Sequence, residues 1–246
     1  MSRMILKGIN LEKSYDNAVL KTKVLKGVDI ELKEGEFVSI MGKSGSGKST
    51  LLNILSSLDA PDNGELYFEG RKITHLEEEE AAKLRRESFG FVFQLPKMVR
   101  NLSIMDNILL PSVSYRKNKK ELIAKAQELM KKIGIEQIAD NRISQASGGQ
   151  LQRAGICRAL INDPKILFAD EPTGALDSKT GQEVLELFST LHAEGKSILM
   201  VTHDIQVASR ADRVIFMKDG FLVGEIKPGA DRKEGLKKIQ EAVNSL

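Results

Sequence analysis

Tryptophan is absent from the 246 residues of this chain, and Cys157 is its single cysteine. One cysteine excludes an intramolecular disulfide, and its apolar neighbours favour a small core residue over a nucleophile. No apolar run approaches the roughly 18–20 residues that cross a bilayer, and the first residues lack the long apolar segment of a signal peptide. These absences predict a chain that stays in the cytosol, where structural disulfides are rare.

Neither sign of charge predominates, since the formal net charge is only +3 although 29% of the residues are charged. A balance this close to neutral predicts no nucleic-acid partner. The densest basic run, residues 116–120, is typical of a solvated loop, with proximity to lipid headgroups as the alternative. The hydrophobic content of 41% is ordinary for a globular protein, and the length permits a substantial core.

The most informative stretch present is residues 42–50, which fit the phosphate-loop pattern G-x-x-x-x-G-K-[ST]. An apolar stretch precedes it and a helical pattern follows, which is the context that the motif requires and which disfavours a flexible Gly/Ser linker. Glycines let backbone N–H groups approach phosphate oxygens, and the helix N-terminus adds partial positive charge. The predicted nucleotide-binding loop comprises Gly42, Lys43, Ser44, Gly45, Ser46, Gly47, Lys48, Ser49 and Thr50. Lys48 is predicted to bridge the β- and γ-phosphates, and the Ser49 hydroxyl to coordinate Mg²⁺.

The remaining patterns predict an α/β fold with an insertion. The residues before the loop have strand patterns, and apolar runs at residues 165–170 and 197–202 suit a buried parallel sheet. Between them, residues 122–133 follow helical spacing. The predicted fold is a P-loop, RecA-like core with a mostly parallel sheet, an N-terminal antiparallel β subdomain and an inserted α-helical subdomain. We expect one domain over residues 1–246, with its core at 1–94 and 161–246 and its helical subdomain at 95–160.

Local signals add three predictions to this outline. Thr74 and Glu77 fit a capping box that would open a helix. The dipeptide at residues 219–220 is Asp-Gly, which predicts a hairpin between two short strands. Apolar residues spaced along 236–246 predict a terminal amphipathic helix.

Two further segments carry chemistry. Asp170 and Glu171 end an apolar strand, where one carboxylate can hold Mg²⁺ and the next can orient or deprotonate water. Residues 147–150 are Ser-Gly-Gly-Gln at the start of a helical run, which is an anion site or, alternatively, a glycine-rich turn with Ser147 as a plain N-cap. Because the chain already contains a phosphate loop, we expect a second anion site to serve a partner subunit.

These segments, in this order, resemble those of ATP-binding cassette (ABC) ATPases over almost the entire chain. The signature motif of that family is matched by Ser147, Gly148, Gly149 and Gln150. Gln94 resembles the Q-loop glutamine, residues 174–177 the D-loop, and His203 the switch histidine. Tyr15 resembles the aromatic residue that stacks on adenine.

Two positions differ from the residues that are usual in this family. Ala146 stands where leucine is usual, and Gly174 where serine is usual. The first removes apolar volume beside the signature motif, and the second removes a hydroxyl from the D-loop. Both changes bear on the contact between subunits and leave Ser147, Gly149 and the catalytic carboxylates in place.

The resemblance implies two ATPase subunits that meet head to tail around two ATP molecules. Ser49 and Gln94 would bind Mg²⁺ with Asp170 behind them, Glu171 would polarise the water, and His203 would contact the γ-phosphate. Asp177 of the D-loop would communicate between the subunits. An integral membrane permease would be the further partner, which implies a cytoplasmic subunit peripheral to the inner face of the membrane.

At the level of subfamilies, the wording resembles the macrolide-export and lipoprotein-release group, and most of all bacterial bacitracin and antimicrobial-peptide resistance transporters. This resemblance implies an ATPase that powers export or removal of an antimicrobial peptide or amphipathic compound. The alternatives are a lipoprotein-release ATPase, a soluble ABC ATPase acting on ribosomes or chromosomes, and a regulatory subunit that does not hydrolyse ATP. Intact Lys48, Glu171 and His203 argue against the last of these.

Overall fold

A computed structural model of the chain describes residues 3–17, 20–112, 118–229 and 231–245. Arg116 and Lys117 of the basic run lie outside these residues. The chain divides into two compact units, the first formed by Met1–Ala81 with His192–Leu246 and the second by Ala82–Leu191. Within the described residues, no helix is both long enough and apolar enough to span a lipid bilayer.

The elements alternate between strands and helices for most of the chain. The strands are β1 (Met4–Asn17), β2 (Leu20–Lys33), β3 (Phe37–Met41), β4 (Asn63–Phe68), β5 (Arg71–Lys72), β6 (Phe89–Phe93), β7 (Ile166–Asp170), β8 (Ser197–Thr202), β9 (Arg213–Lys218) and β10 (Phe221–Ile226). The helices are α1 (Lys48–Leu55), α2 (Glu78–Ser88), α3 (Ile104–Leu109), α4 (Lys119–Ile133), α5 (Gly148–Leu160), α6 (Ser178–Ala193), α7 (Ile205–Ala208) and α8 (Arg232–Ser245). Short 3₁₀ turns occur at Leu110–Ser112, Glu136–Ile138 and Ile143–Gln145.

The first unit contains two groups of paired strands. An antiparallel sheet has the order β2-β1-β4-β5. In the other group, β3 pairs in parallel with β8 on one side and β9 on the other, while β10 pairs antiparallel with β9. Every residue of β3 and β8 is buried, which is why both strands read as mostly apolar runs in the sequence.

The Asp-Gly hairpin prediction is confirmed between β9 and β10. Asp219 has φ +50° and Gly220 has φ +87°, so both central residues of the turn are left-handed. A two-residue turn of this kind matches the right-handed twist of the paired strands, and Asp-Gly is among the dipeptides that tolerate it. The predicted terminal helix is also present as α8, with Ile239 fully buried.

In the second unit, β6 and β7 pair in parallel. Helices α3, α4 and α5 lie between these strands in the sequence, and α6 follows β7. Helix α4 confirms the predicted amphipathic stripe, since Leu122, Ala126, Met130 and Ile133 are buried. Its first turn is capped by the Asn118 side chain, and Gly134 at φ +73° ends it. Cys157 of α5 is fully buried, and burial raises the pKa of its thiol to about 12, as expected of a core residue.

The predicted capping box at Thr74 and Glu77 is wrong. Helix α2 begins at Glu78, and the Thr74 hydroxyl instead accepts a hydrogen bond of 2.7 Å from the backbone N–H of Leu66 in β4. The sequence pattern could not reveal this because the competing donor lies eight residues earlier, across a strand-to-strand connection.

Candidate phosphate-binding site

The loop at residues 42–50 joins buried strand β3 to helix α1 in the first unit. Gly47 is the N-cap of α1 with φ +104°, a conformation that residues with a side chain rarely adopt. Gly42 is needed for a different reason, because a Cβ there would lie 2.2 Å from the carbonyl oxygen of Met217. The two glycines therefore let the backbone of the loop fold tightly.

Lys48 and Ser46 supply the polar side chains buried in this loop. Lys48 is only 6% exposed, and its Nζ donates to the carbonyls of Gly42 and Lys43, each at 2.9 Å. Ser46 is 5% exposed, and its hydroxyl has no hydrogen-bond partner among the described residues. A buried ammonium and an unpartnered buried hydroxyl in one glycine-rich loop form a site suited to an anion.

A cavity of about 360 Å³ opens beside the loop, entirely within the first unit. The predicted switch residue His203 lines it together with loop residues 42–46, and His203 is exposed directly after β8. Parallel strands β3 and β8 end at the same edge, which brings the histidine to the loop. The end of β9 and Val243 of α8 also line the cavity, and nothing in the local sequence pattern indicates them.

Tyr15 lies near the end of β1 and remains 40% exposed. Its hydroxyl donates to Asp59 Oδ2 at 2.9 Å, and Lys13 Nζ also donates to this carboxylate. The sequence identifies the tyrosine but not Asp59, which is 44 residues away along the chain, and without Asp59 nothing marks Lys13 as a partner of the same carboxylate.

In the second unit, Asp170 is the last residue of β7 and Glu171 follows it. Both side chains are partly exposed. Glu171 has φ +45°, in the left-handed region that is uncommon for residues other than glycine, asparagine and aspartate. Strained backbone of this kind concentrates at functional positions, where the surrounding structure maintains it.

Gln94 follows β6 and is exposed, and Gly174 lies against it within the same unit. A Cβ at Gly174 would lie 2.9 Å from Gln94 Nε2. The backbone N–H of Gly174 donates to the Glu171 carbonyl at 3.0 Å. The glycine at position 174 thus lets the turn after Glu171 approach the Gln94 side chain closely.

Ser147 and Gln150 form a reciprocal capping box at the start of α5. The Ser147 hydroxyl accepts from the Gln150 N–H at 3.2 Å, and Gln150 Oε1 accepts from the Ser147 N–H at 2.9 Å. The hydroxyl retains its own proton for donation, and Gly148 and Gly149 contribute further N–H groups of the first helical turn. Gly149 cannot be replaced easily, since a Cβ there would lie 2.2 Å from Thr180 Cγ2.

Asp177 caps the next helix, α6. Its Oδ1 accepts from the backbone N–H groups of Lys179 and Thr180, each at 3.1 Å. A side-chain hydrogen bond from Thr180, supported by these backbone bonds, holds the pKa of Asp177 below its ordinary value. The structure thus gives this residue a local role, and its expected role between subunits stays a prediction.

One face of α5 holds the segment that contains Gln94. Gln152 is 1% exposed, and its Nε2 donates to the carbonyl of Phe93 at 3.0 Å. Arg158 donates to the Lys97 carbonyl at 2.5 Å, and Gly155 lies between them, where a Cβ would stand 3.6 Å from Pro96 Cβ. Residues spaced three apart along a helix share a face, so α5 contacts this segment at three successive points. We call the three residues Gln152, Gly155 and Arg158 the α5 stripe.

The proposed metal donors are chemically suitable for Mg²⁺. Ser49 offers a hydroxyl in the first unit, and Gln94 and Asp170 offer an amide oxygen and a carboxylate in the second. Mg²⁺ prefers such oxygen donors and commonly takes only one or two carboxylates together with substrate phosphates.

Comparison with known proteins places these observations in a family. A family model described as "ABC transporter" matches residues 25–174. The bacitracin export ATP-binding protein BceA of Halalkalibacterium halodurans is 44% identical over 231 residues, covering 94% of this chain and 91% of that protein. The macrolide export ATP-binding/permease protein MacB of Pasteurella multocida is 43% identical over 225 residues, covering 92% of this chain. The chain spans 35% of the length of that MacB.

A solved structure has a similar fold. It is described as the dimeric structure of a post-hydrolysis state of the ATP-binding cassette MJ0796 bound to ADP and Pi. Its TM-score with this chain is 0.85 at 42% sequence identity, and the similarity covers 91% of this chain and 98% of that one. The predicted fold class, an α/β cassette with an antiparallel β sheet and a mostly parallel one, is confirmed.

Proposed function

This chain belongs to the ABC transporter family of ATP-binding proteins, and from that membership we propose that it is the ATP-hydrolysing subunit of an exporter. The observation that carries the proposal is the burial of Lys48 inside a glycine loop, with its ammonium donating to the loop's own carbonyls. Such a buried cation is suited to phosphate oxygens, which would replace the carbonyls as its partners.

The role proposed for each residue follows from the chemistry of its side chain. Lys48 and the loop amides neutralise the β- and γ-phosphates, and Tyr15 stacks on the adenine. Bound Mg²⁺, held by Ser49, Gln94 and Asp170, would supply additional neutralisation of phosphate charge. Glu171 orients and deprotonates the attacking water, and His203 donates to the γ-phosphate.

Two copies of the chain are proposed to share each ATP. In this arrangement the signature residues 147–150 of one copy reach the phosphates held by the loop of the other. The Ser147 proton and the N–H groups of the first turn of α5 are suitable donors, and the helix dipole favours an anion there. The printed description of MJ0796 as dimeric and bound to ADP and Pi supports this part of the proposal.

The partner and cargo are proposed from the relatives' names. BceA is named a bacitracin export ATP-binding protein and is similar to this chain over nearly its whole length. MacB is named an ATP-binding/permease protein and is much longer. We therefore propose a separate integral membrane permease as partner, an antimicrobial peptide or amphipathic compound as cargo, and a location on the cytoplasmic face of the membrane. Both names favour export over lipoprotein release.

The proposal is tested by replacing the phosphate-binding cation. In Lys48→Ala the phosphates lose their direct cationic side chain, a contact worth roughly 1.5–3 kcal/mol, so ATP affinity or turnover should fall about ten- to a hundred-fold or more. Calorimetry and phosphate release on the purified chain, alone and with its permease, measure these quantities. Lys33→Ala makes the same charge change at an exposed lysine and should behave as wild type. Normal turnover in Lys48→Ala would contradict the proposed site.

A further inference from the structure

We propose that Asp59 and Lys13 are positioning residues that hold the ring of Tyr15 in the pose that receives adenine. Neither residue belongs to a motif of the sequence, and neither touches the phosphates. The inference rests on the proposed function, because it assumes that Tyr15 stacks on the base of ATP. It adds a set of supporting contacts, all within the first unit, that determine where this aromatic platform stands.

Three side chains form a closed set of contacts. Asp59 accepts from the Tyr15 hydroxyl through Oδ2 at 2.9 Å and from Lys13 Nζ through Oδ1 at 2.6 Å. The Lys13 ammonium in turn lies 5.4 Å from the centroid of the Tyr15 ring. A phenol tip fixed by a carboxylate and a ring face approached by a cation leave the tyrosine little freedom to rotate.

The charges in this set are those that make the contacts strong. Burial alone would raise the pKa of Asp59, but hydrogen bonds from Lys13 and Tyr15 outweigh it and hold that pKa below its ordinary value. The Lys13 side chain is only 12% exposed and that of Asp59 30%, so water screens this pair less than it screens an ordinary surface pair. The carboxylate is therefore ionised at neutral pH and available to both donors.

The set is tied to the helix that follows the phosphate loop. Asp59 comes just after α1, and Lys13 Nζ also donates to the carbonyl of Ala60 at 2.7 Å. Asp62 accepts from the backbone N–H of Ser14 at 2.7 Å, which joins the same segment to β1 a second time. Tyr15 is thus anchored to the segment that directly follows α1, the helix that begins with Lys48.

This anchoring has a consequence for binding. Adenine and the phosphates belong to one ligand, so the aromatic platform must stand at a fixed distance from the loop for both to bind together. A preorganised ring avoids the loss of side-chain freedom that an unanchored tyrosine would undergo on stacking. The contribution of Asp59 and Lys13 therefore concerns the adenine end of the ligand and leaves the phosphate end unaffected.

The same unit contains a matched control set away from the loop. Glu65 accepts from the Tyr67 hydroxyl at 2.8 Å and from Lys72 Nζ at 2.5 Å. It repeats the combination of a tyrosine, a carboxylate and a lysine on β4 and β5, two strands that carry no residue of the proposed nucleotide site. Substitutions in this set reproduce the structural effect of breaking such contacts without the proposed effect on the ligand.

The test compares ATP with inorganic tripolyphosphate, which has the phosphate chain and no adenine, by calorimetry on the full chain with Mg²⁺. Tyr15→Phe and Asp59→Ala should each weaken ATP binding about three- to tenfold, the range expected for one hydrogen bond of the anchor. The double variant should bind ATP no more weakly than the weaker single variant, since both changes break the same contact. Tripolyphosphate binding should be unchanged, and Tyr67→Phe and Glu65→Ala should bind both ligands as wild type.

Two results would overturn the inference. One is ATP affinity at the wild-type value in both Tyr15→Phe and Asp59→Ala. The other is an equal loss of ATP and tripolyphosphate affinity, which would mean that the substitutions disturb the whole unit. In either case the proposed function would still hold if the wild-type chain binds tripolyphosphate and Lys48→Ala weakens that binding. Failure of the inference and failure of the proposed function are therefore distinguishable.

Discussion

The backbone of Glu171 is strained at the position where the proposed function requires a base. This residue has φ +45° and directly follows Asp170 at the end of β7. A glutamate gains nothing locally from a left-handed conformation, which costs of order 1 kcal/mol or more, so the surrounding turn must maintain it. The Gly174 N–H that donates to the Glu171 carbonyl is one contact that does so.

Glu171→Gln should separate ATP binding from hydrolysis. The amide keeps the shape and hydrogen bonding of the carboxylate but cannot accept the proton of the attacking water. We expect ATP binding to survive while turnover falls about 10²–10⁴-fold, the usual cost of losing a positioned base. Light scattering with ATP should then detect a stable dimer that is absent with ADP. Turnover at the wild-type rate would mean that another group is the base.

Gly174→Ala tests the close approach of the D-loop to Gln94. The new Cβ would lie 2.9 Å from Gln94 Nε2, so the exposed amide must move aside. Because only the end of a flexible side chain shifts, we expect the melting temperature to change little while ATP turnover falls several-fold, roughly the effect of misplacing one polar contact. Gly224→Ala is the matched control, since nothing lies within 4 Å of its Cβ position. Unchanged turnover in Gly174→Ala would show that the contact has no role in the reaction.

At the scale of elements, α5 connects two motifs that are far apart in the sequence. Its first turn carries the signature residues, and the α5 stripe holds the backbone on both sides of Gln94. Burial lowers the pKa of Arg158, and its guanidinium donates to the Lys97 carbonyl. Any displacement of the Gln94 segment must therefore move the helix with it.

Gln152→Met should loosen this attachment. The substitution keeps the volume of the side chain but leaves the Phe93 carbonyl without its donor. Losing a buried hydrogen bond of this kind typically costs about 1–3 kcal/mol of unfolding free energy, measurable by urea denaturation. Gln127→Met on the exposed part of α4 is the control and should change stability little. Hydrogen exchange at residues 93–97 should also accelerate in Gln152→Met; protection equal to wild type would contradict the attachment.

At the scale of the whole molecule, shared sites predict complementation between defective chains. Ser147→Arg damages the signature end, and Lys48→Ala damages the loop end. If each ATP lies between two copies, a mixed dimer retains one undamaged site. Its ATP-dependent closure, followed by light scattering, should exceed that of either variant alone. The permease should be included if wild-type chains do not dimerise without it.

The control for complementation is a mixture without any undamaged site. Lys48→Ala chains combined with chains carrying both Lys48→Ala and Ser147→Arg provide it, because neither loop is then intact. This mixture should behave as Lys48→Ala alone. Closure of the first mixture no better than that of its separate components would argue against sites shared between subunits.

The sequence by itself determined the family and the local character of the main elements. The phosphate loop, the acidic pair and the signature residues are contiguous, and the strands of the core read as apolar runs because both of their faces are buried. Hairpin and helix signals such as Asp219-Gly220 and the stripe of α4 also depend on neighbours a few residues apart. Interactions between residues close together in the chain can therefore be predicted from the sequence alone.

The tertiary structure decided which residues support those motifs. Asp59 reaches Tyr15 across 44 positions, and Gln152 reaches Phe93 across 59. Thr74 fits a helix-capping pattern, but its hydroxyl instead accepts a hydrogen bond from the backbone of Leu66 in β4. No sequence period encodes such pairs, since their spacing depends on how strands and helices pack rather than on the repeat of either. Long-range partners are therefore found only in the fold.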